Sequence, residues 1–231
     1  MMAETDYCEA LVRETDKDRY LATLFAPAAR RPDLFALYAF DLETASVAHR
    51  VRDPVAGEVR LQWWHDAISS EQEGPIGHPV ADAVTRLLRD HGIANSVALE
   101  LIDARRRGLY PDKCVGEAEF ELSASETSGA IFGVAAHVLA GPPGEPTRLA
   151  AHHAGVATAA AQIAPDALAV DVAALTRRHR DAVRSLIPNL PAPVLPAFLP
   201  LTLAVDGRSS LPQWRRQWVL WRASKNLAGW V

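Results

Sequence analysis

Five polar residues in two neighbouring helical stretches have the types that could line one site. Asp41 lies in "LFALYAFDLETASVAHRV", residues 34–51; Glu58, Arg60, Gln62 and Asp66 lie in "VAGEVRLQWWHDAISSE", residues 55–71. Carboxylates beside a guanidinium and an amide can orient a polar substrate, move a proton or hold a hard cation, provided that they share a face. Spacing decides which of them do. Glu58, Gln62 and Asp66 stand at i, i+4 and i+8 and form a polar stripe, while Val59, Trp63 and Ala67 form an apolar one. Asp41 has Ala45 and Ala48 as its i+4 and i+7 neighbours, and Glu43 points nearly the opposite way. Two carboxylates that share a metal must share a face, and Asp41 and Glu43 do not. The five polar residues read either as the polar wall of a pocket between two helices or as hydrogen bonding that fixes helix register.

Three other constellations invite a chemical reading. His152 and His153 are adjacent, but neighbours on a helix do not face each other, and no carboxylate or cysteine stands at i+3 or i+4, so no metal site is expected. Ser123, Ser125 and Ser128 have no His and Asp nearby in sequence and read as small residues for close helix packing. Asp103 with Arg105–Arg107 reads as a solvated helix end whose cations complement the helix dipole.

The tail is the most unusual stretch. After Asp206 no acidic residue occurs, but Arg208, Arg215, Arg216, Arg222 and Lys225 do. Trp214, Trp218 and Trp221 sit at i, i+4 and i+7 on one face of a helix expected over 211–228. With Arg215, Arg216 and Arg222 they suit an amphipathic helix on a membrane or a protein partner. The alternative is that the tryptophans cap the bundle and the arginines face water.

Helices must position these residues. Breakers recur at helical spacing: Pro27, Asp53-Pro54, "EGPIGHP", Gly92, "GLYPDK" and "GPPGEP". They delimit helices through "RYLATLFAP", over 32–51, 55–71, 79–91, 94–108, 116–140, 147–164 and 166–187, then the proline-broken run "IPNLPAPVLPAFLPLTL". No period-two strand pattern and no internal repeat is present. The 32–51 helix is apolar nearly all round and belongs at the centre of a bundle, with the 55–71 helix against it and Trp63 or Trp64 buried.

Composition narrows the classes. The 231 residues are 49% hydrophobic and 23% charged, enough for a sizeable core. A formal net charge of -4 argues against a nucleic-acid binder. Cys8 and Cys114 are the only cysteines, which suggests a reducing compartment and no disulfide framework. The mixed-charge N-terminus resembles neither a signal nor a transit peptide, and no apolar run is long enough to span a bilayer, so a cytoplasmic protein, peripheral at most, is expected.

The run "DRYLATLFAPAARRPDLFALYAFDLETASVAHRVRDPVAGEVRLQWWHDAI", with "ARRRGLYPD", "ETSGAIFGVAAHVL", "HHAGVATA" and "PAFLPLTL…WRRQWVLWRA", resembles the squalene/phytoene synthase family. It is closest to a branch that includes bacterial phytoene-synthase-like proteins and a mitochondrial complex I assembly factor. The resemblance implies an all-α, isoprenoid-synthase-like helical bundle over residues 1–231 as a single domain. Arg60, Gln62 and Trp64 fit that branch's Arg-x-Gln-x-aromatic pattern.

Active members of the family condense two allylic diphosphates head to head, with Mg²⁺ held by two aspartate-rich motifs. Carried onto this chain, the first motif falls on Ala45, Ser46 and His49, none of them an aspartate. The second falls near "GVATAAAQIAPDA", which offers only Gln162 and Asp166. The tyrosine- and arginine-containing segment that follows in the family is missing, so the bundle is expected to be truncated in its second half.

Three functions fit these residues. One is a catalytically inactive family member with a binding or assembly role at a protein partner or membrane, as in respiratory complex I assembly. The others are a prenyl-diphosphate condensing transferase with a rebuilt metal site, and a binder of an apolar, isoprenoid-like lipid. No cofactor is expected, Mg²⁺ only if the transferase reading holds, and no nucleic acid.

Overall fold

From Leu34 to Asp41 every residue is buried, so this stretch offers no face to solvent. It lies in the third of thirteen α-helices in a computed structural model that describes residues 4–51, 53–70, 74–110, 116–163, 171–205 and 208–231. The order begins with α1 (Glu4–Thr15), α2 (Lys17–Thr23), α3 (Arg31–Arg50), α4 (Pro54–Ser69), α5 (Pro79–Asp90) and α6 (Asn95–Arg107). It continues with α7 (Glu117–Ala124), a π-helical turn (Ser125–Gly129), α8 (Ala130–Ala140), α9 (Glu145–Gln162) and α10 (Val172–Leu186). The last are α11 (Leu195–Phe198), α12 (Leu201–Ala204) and α13 (Gln213–Lys225). No strand occurs among the described residues, in keeping with the all-α expectation.

The chain divides into two compact units, Met1–Lys17 with Arg31–Asp112, and Asp18–Arg30 with Lys113–Val231. In the first, α3 packs against α1, α4, α5 and α6 and is central, as its apolar surface requires. The boundaries of its neighbours are set by local chemistry. Asp53 accepts a hydrogen bond from the Val55 amide at 3.0 Å ahead of Pro54 in the first turn of α4, and Gly92 ends α5 in the left-handed region at φ 63°.

Helix α1 did not stand out in the sequence. It buries only Cys8 and Val12, one turn apart, too short a stripe to be read from periodicity. Burial pushes the Cys8 thiol up to about 12, so it is a packing residue and not a nucleophile. Cys114 lies outside the described residues.

Of the two tryptophans of α4, one of which was expected inside, Trp64 is the buried one. The core side of α4 is Gly57, Leu61, Trp64, Ala67 and Ile68, whereas Val59 and Trp63 are exposed. Trp64, at 5% exposure, meets Phe40 of α3 edge-on at 5.5 Å between ring centroids. The stripe Val59–Trp63–Ala67 is thus not a packing seam; the seam lies one position further on.

In the second unit α9 is the hub, packing against α10, α8, α7, α12 and the π turn. The single helix expected over 116–140 is interrupted there: Ser125–Gly129 winds as a π-helix between α7 and α8. Two glycines make the approach possible. A Cβ on Gly155 of α9 would lie 2.2 Å from the Gly129 nitrogen and 2.4 Å from its Cα. Both obstacles are backbone, so neither can swing aside. The proline-broken run after α10 winds into short helical pieces that bury Ile187, Leu190, Val194, Phe198 and Leu201.

Gly155→Ala is therefore expected to destabilise the protein by about 3 kcal/mol, the upper range for overpacking. Gly133→Ala, a helical position whose new Cβ would meet nothing nearer than the Ala151 methyl at 4.0 Å, should be neutral or stabilise by up to about 1 kcal/mol. Urea unfolding of the two variants checks the pair; equal midpoints would show that the glycine contact carries no weight.

Candidate functional site

The structure distributes the five polar residues of the first two stretches instead of converging them on one pocket. Asp41 is 4% exposed on the core side of α3 and accepts a hydrogen bond from Arg105 Nη2 of α6 at 2.7 Å. Arg105 was read as part of a solvated helix end. Its neighbour Arg106 also turns inward and donates to Gln62 Oε1 at 2.9 Å, while Gln62 Nε2 donates to Asp66 Oδ1 at 2.6 Å. Gln62 and Asp66 thus belong to a clamp between α4 and α6. Glu58 faces the Tyr110 hydroxyl; desolvation and the hydrogen bond to Glu58 raise that phenol above its ordinary value. Arg60 is exposed and turns to a different recess.

That recess, of roughly 300 Å³, lies along α3 and α4 in the first unit. Glu43, Ser46 and Arg50 of α3, Arg60 and Trp63 of α4, and His78 line it. Trp63, Trp64 and His78 meet edge to face, with ring centroids 5.1–5.3 Å apart. Its charge is mixed, with two guanidiniums and one carboxylate, and Glu43 already faces Arg50 at 3.9 Å. These residues do not fit Mg²⁺, which asks for several oxygen ligands in near-octahedral geometry. Ser46 takes a position where the resemblance places an aspartate, and Asp41 is turned to a cation. Asp166 lies outside the described residues, as do the other residues from 164 to 170, where the missing segment was expected.

Among the described residues one group of three or more possible ligands comes together, and it is made of imidazoles. His152 and His153 of α9 and His179 of α10 each offer a nitrogen, and these atoms lie within 4.8 Å of one another. His153 Nδ1 is 3.0 Å from His179 Nδ1. His179 Nε2 is 3.1 Å from Glu121 Oε1 of α7, and His152 Nδ1 is 2.8 Å from Ser125 Oγ on the π turn. Burial, reinforced by the two other imidazoles, pushes His153 down to about 4. Burial likewise lowers His179, against the opposing pull of Glu121.

The adjacency argument against His152 and His153 therefore missed its third member, 26 residues further on. A signal was present. His179 falls on the buried stripe Val172, Leu175, His179, Val183, a polar residue on the apolar face of an amphipathic helix.

The tail forms α13, shorter than the 211–228 expected. Val219, Leu220 and Ala223 face the core, and the tryptophans point the other way: Trp214, Trp218 and Trp221 are 64%, 50% and 51% exposed. They do not cap the bundle. Arg215 lies over the Trp214 ring at 5.0 Å and Arg222 over Trp218 at 5.3 Å. Beside them is an apolar recess of roughly 350 Å³ lined by Leu211, Trp214, Trp218 and Val219. Arg216 is not part of this surface. It turns inward and forms an ion pair with Asp18. No helix among the described residues is long and apolar enough to cross a membrane.

Residues 12–167 match the family model described as squalene/phytoene synthase. Among curated proteins the chain is similar to NADH dehydrogenase (ubiquinone) complex I, assembly factor 6, from Bos taurus, at 29% identity over 134 residues, which is 58% of this chain and 40% of that one. The Mus musculus protein of the same name is 30% identical over 134 residues with the same coverage. The chain thus spans 40% of the length of these relatives. Among solved structures, a dehydrosqualene synthase in complex with ligand superposes with a TM-score of 0.77 at 12% identity, over 98% of this chain and 97% of the other. The squalene synthase HpnC from Alicyclobacillus acidocaldarius gives 0.66 at 15% identity, over 96% and 95%. At these identities the likeness is one of fold.

If Asp41 serves Arg105, removing either partner strands a buried charge. Asp41→Ala should lose about 3 kcal/mol of stability, in the range for a broken buried pair, whereas Asp41→Leu with Arg105→Met should recover most of it. Denaturant titration of the single and double variants measures this; a double variant no better than the single would refute the pairing.

Proposed function

The chain belongs to the squalene/phytoene synthase family, and from that premise we propose that it is a non-catalytic member whose fold serves binding and assembly, as in respiratory complex I assembly. The observation that carries this reading lies on α3. Where the family's first metal motif would stand the residues are Ala45, Ser46 and His49, and the nearby buried carboxylate, Asp41, is bound to Arg105. Ionising an allylic diphosphate develops several negative charges, and Mg²⁺ ions on clustered carboxylates ordinarily stabilise them by several kcal/mol. A single carboxylate already neutralised by a guanidinium supplies neither the charge nor the oxygen ligands. The names of the similar complex I assembly factors support the same reading.

The binding surface in this reading is α13, and its occupant is an anionic membrane. Tryptophans suit the headgroup boundary, and Arg215, Arg222 and Lys225 would meet anionic lipid with no acidic residue between them. Respiratory complexes are built in membranes, so a peripheral anchor places an assembly protein where its partners are. The recess beside Trp214 and Trp218 has room for part of an acyl chain.

Two measurements test these claims. Purified protein with Mg²⁺ and farnesyl or geranylgeranyl diphosphate should release no pyrophosphate and form no C30 or C40 product; turnover that Asp41→Ala abolishes would overturn the non-catalytic reading. Co-sedimentation with anionic vesicles should fall at least about tenfold in Arg215→Glu with Arg222→Glu, at about 1 kcal/mol for each lost cation and a further repulsion from each new carboxylate. Arg216 is left in place because of its pair with Asp18. Binding that is absent, or indifferent to the reversal, would rule out the membrane and leave a protein as the occupant of this face.

A further inference from the structure

We propose that His152, His153 and His179 form a binding site for a borderline divalent transition-metal ion of the Zn²⁺ type. The donors are three imidazoles on two packed helices, with possible ligand nitrogens within 4.8 Å of one another. Imidazole suits Zn²⁺, Co²⁺, Ni²⁺ and Cu²⁺ and does not suit Mg²⁺, so the site is unrelated to the diphosphate chemistry of the fold.

The surroundings assign the ligand atoms. His179 Nε2 lies 3.1 Å from Glu121 Oε1 and 3.3 Å from Arg178 Nη2; in the tautomer that donates Nε2–H to the nearer carboxylate, His179 Nδ1 is a lone pair facing His153. Ser125 occupies His152 Nδ1 at 2.8 Å, which leaves His152 Nε2. A carboxylate behind one imidazole and a hydroxyl behind another are the outer partners that fix ring orientation and raise ligand basicity in metal sites. Arg178, whose Nη2 lies 3.3 Å from His179 Nε2, is engaged by Glu117 at 2.6 Å and by Glu121, which offsets its repulsion of an incoming ion.

Distances ask for small movements. Tetrahedral ligation with arms of 2.0–2.1 Å places nitrogens about 3.4 Å apart. The pair His153–His179, at 3.0 Å, would open by a few tenths of an ångström, and the His152 ring would turn inward. His152 and His153 are half-buried and His179 is buried, so the ion would enter from the α9 side and keep a fourth position for water. It would cross-link α9 to α10. The site is supported from α7 and the π turn, which the Gly129–Gly155 contact holds against α9.

The test uses the full chain, without a histidine tag and stripped with chelator. Titration with Co²⁺ should give one equivalent per chain with the visible absorption of a low-coordinate nitrogen site, displaced by Zn²⁺ and untouched by Mg²⁺. His152→Gln and His153→Gln, at half-buried positions, should each weaken Co²⁺ binding at least about tenfold, and Glu121→Gln, a positioning change, by about 10–100-fold. Circular dichroism accompanies each variant, so lost binding counts only where the helical signal is kept. Wild-type protein that is folded and binds no stoichiometric Co²⁺ or Zn²⁺ overturns the proposal. So does binding of undiminished, wild-type strength in both histidine variants, which would place the ion at other surface histidines.

Discussion

The ion pair between Asp41 and Arg105 is the constraint around which the first unit is arranged. The stretch Leu34–Asp41 is buried on every side and has no place for a carboxylate unless a cation comes to it, because an unpaired buried charge costs several kcal/mol. Arg105 reaches that position only if α6 runs alongside α3, and α6 is held there from the other side by Arg106 on Gln62 of α4. Two successive arginines thus serve two different helices. One of them takes up Asp41, the buried carboxylate of α3.

The same logic of spent groups runs through the recess beside Trp63. Its walls look rich in chemistry, yet Glu43 faces Arg50, and the aromatic rings of Trp63, Trp64 and His78 are packed on one another. The second unit offers two further groups: a cluster of imidazoles with carboxylate support, and a row of exposed tryptophans on α13. In this chain the fold offers nitrogen donors and an aromatic surface.

Much of the architecture could be read from the sequence, because breakers and helical periodicity act locally. Most of α3 to α10 falls close to where Pro, Gly and Asp-Pro signals put it. What escaped was non-local. Arg105 and Asp41 are 64 residues apart, and His179 is 26 from His153; no spacing rule ties such pairs together. The inward face of α4 was left open between Trp63 and Trp64, since Val59 and Trp63 match an apolar stripe as well as Leu61, Trp64 and Ile68 do, and only the neighbour decides between them. The π turn was equally hidden; its close approach to α9 pairs Gly129 with Gly155, 26 residues further on.

The inward turn of Arg216 has a kinetic meaning. By tying α13 to Asp18, it fixes the helix that carries the three tryptophans before anything arrives. A segment that folds only on contact must surrender its conformational entropy at that moment, which weakens the complex and can slow its formation. Here the helix is already wound and oriented, so adsorption would cost mainly the rotamer freedom of the tryptophan and arginine side chains. On the docking proposed for this face, such a pre-wound surface would seat quickly and hold more firmly than a segment that must fold on contact.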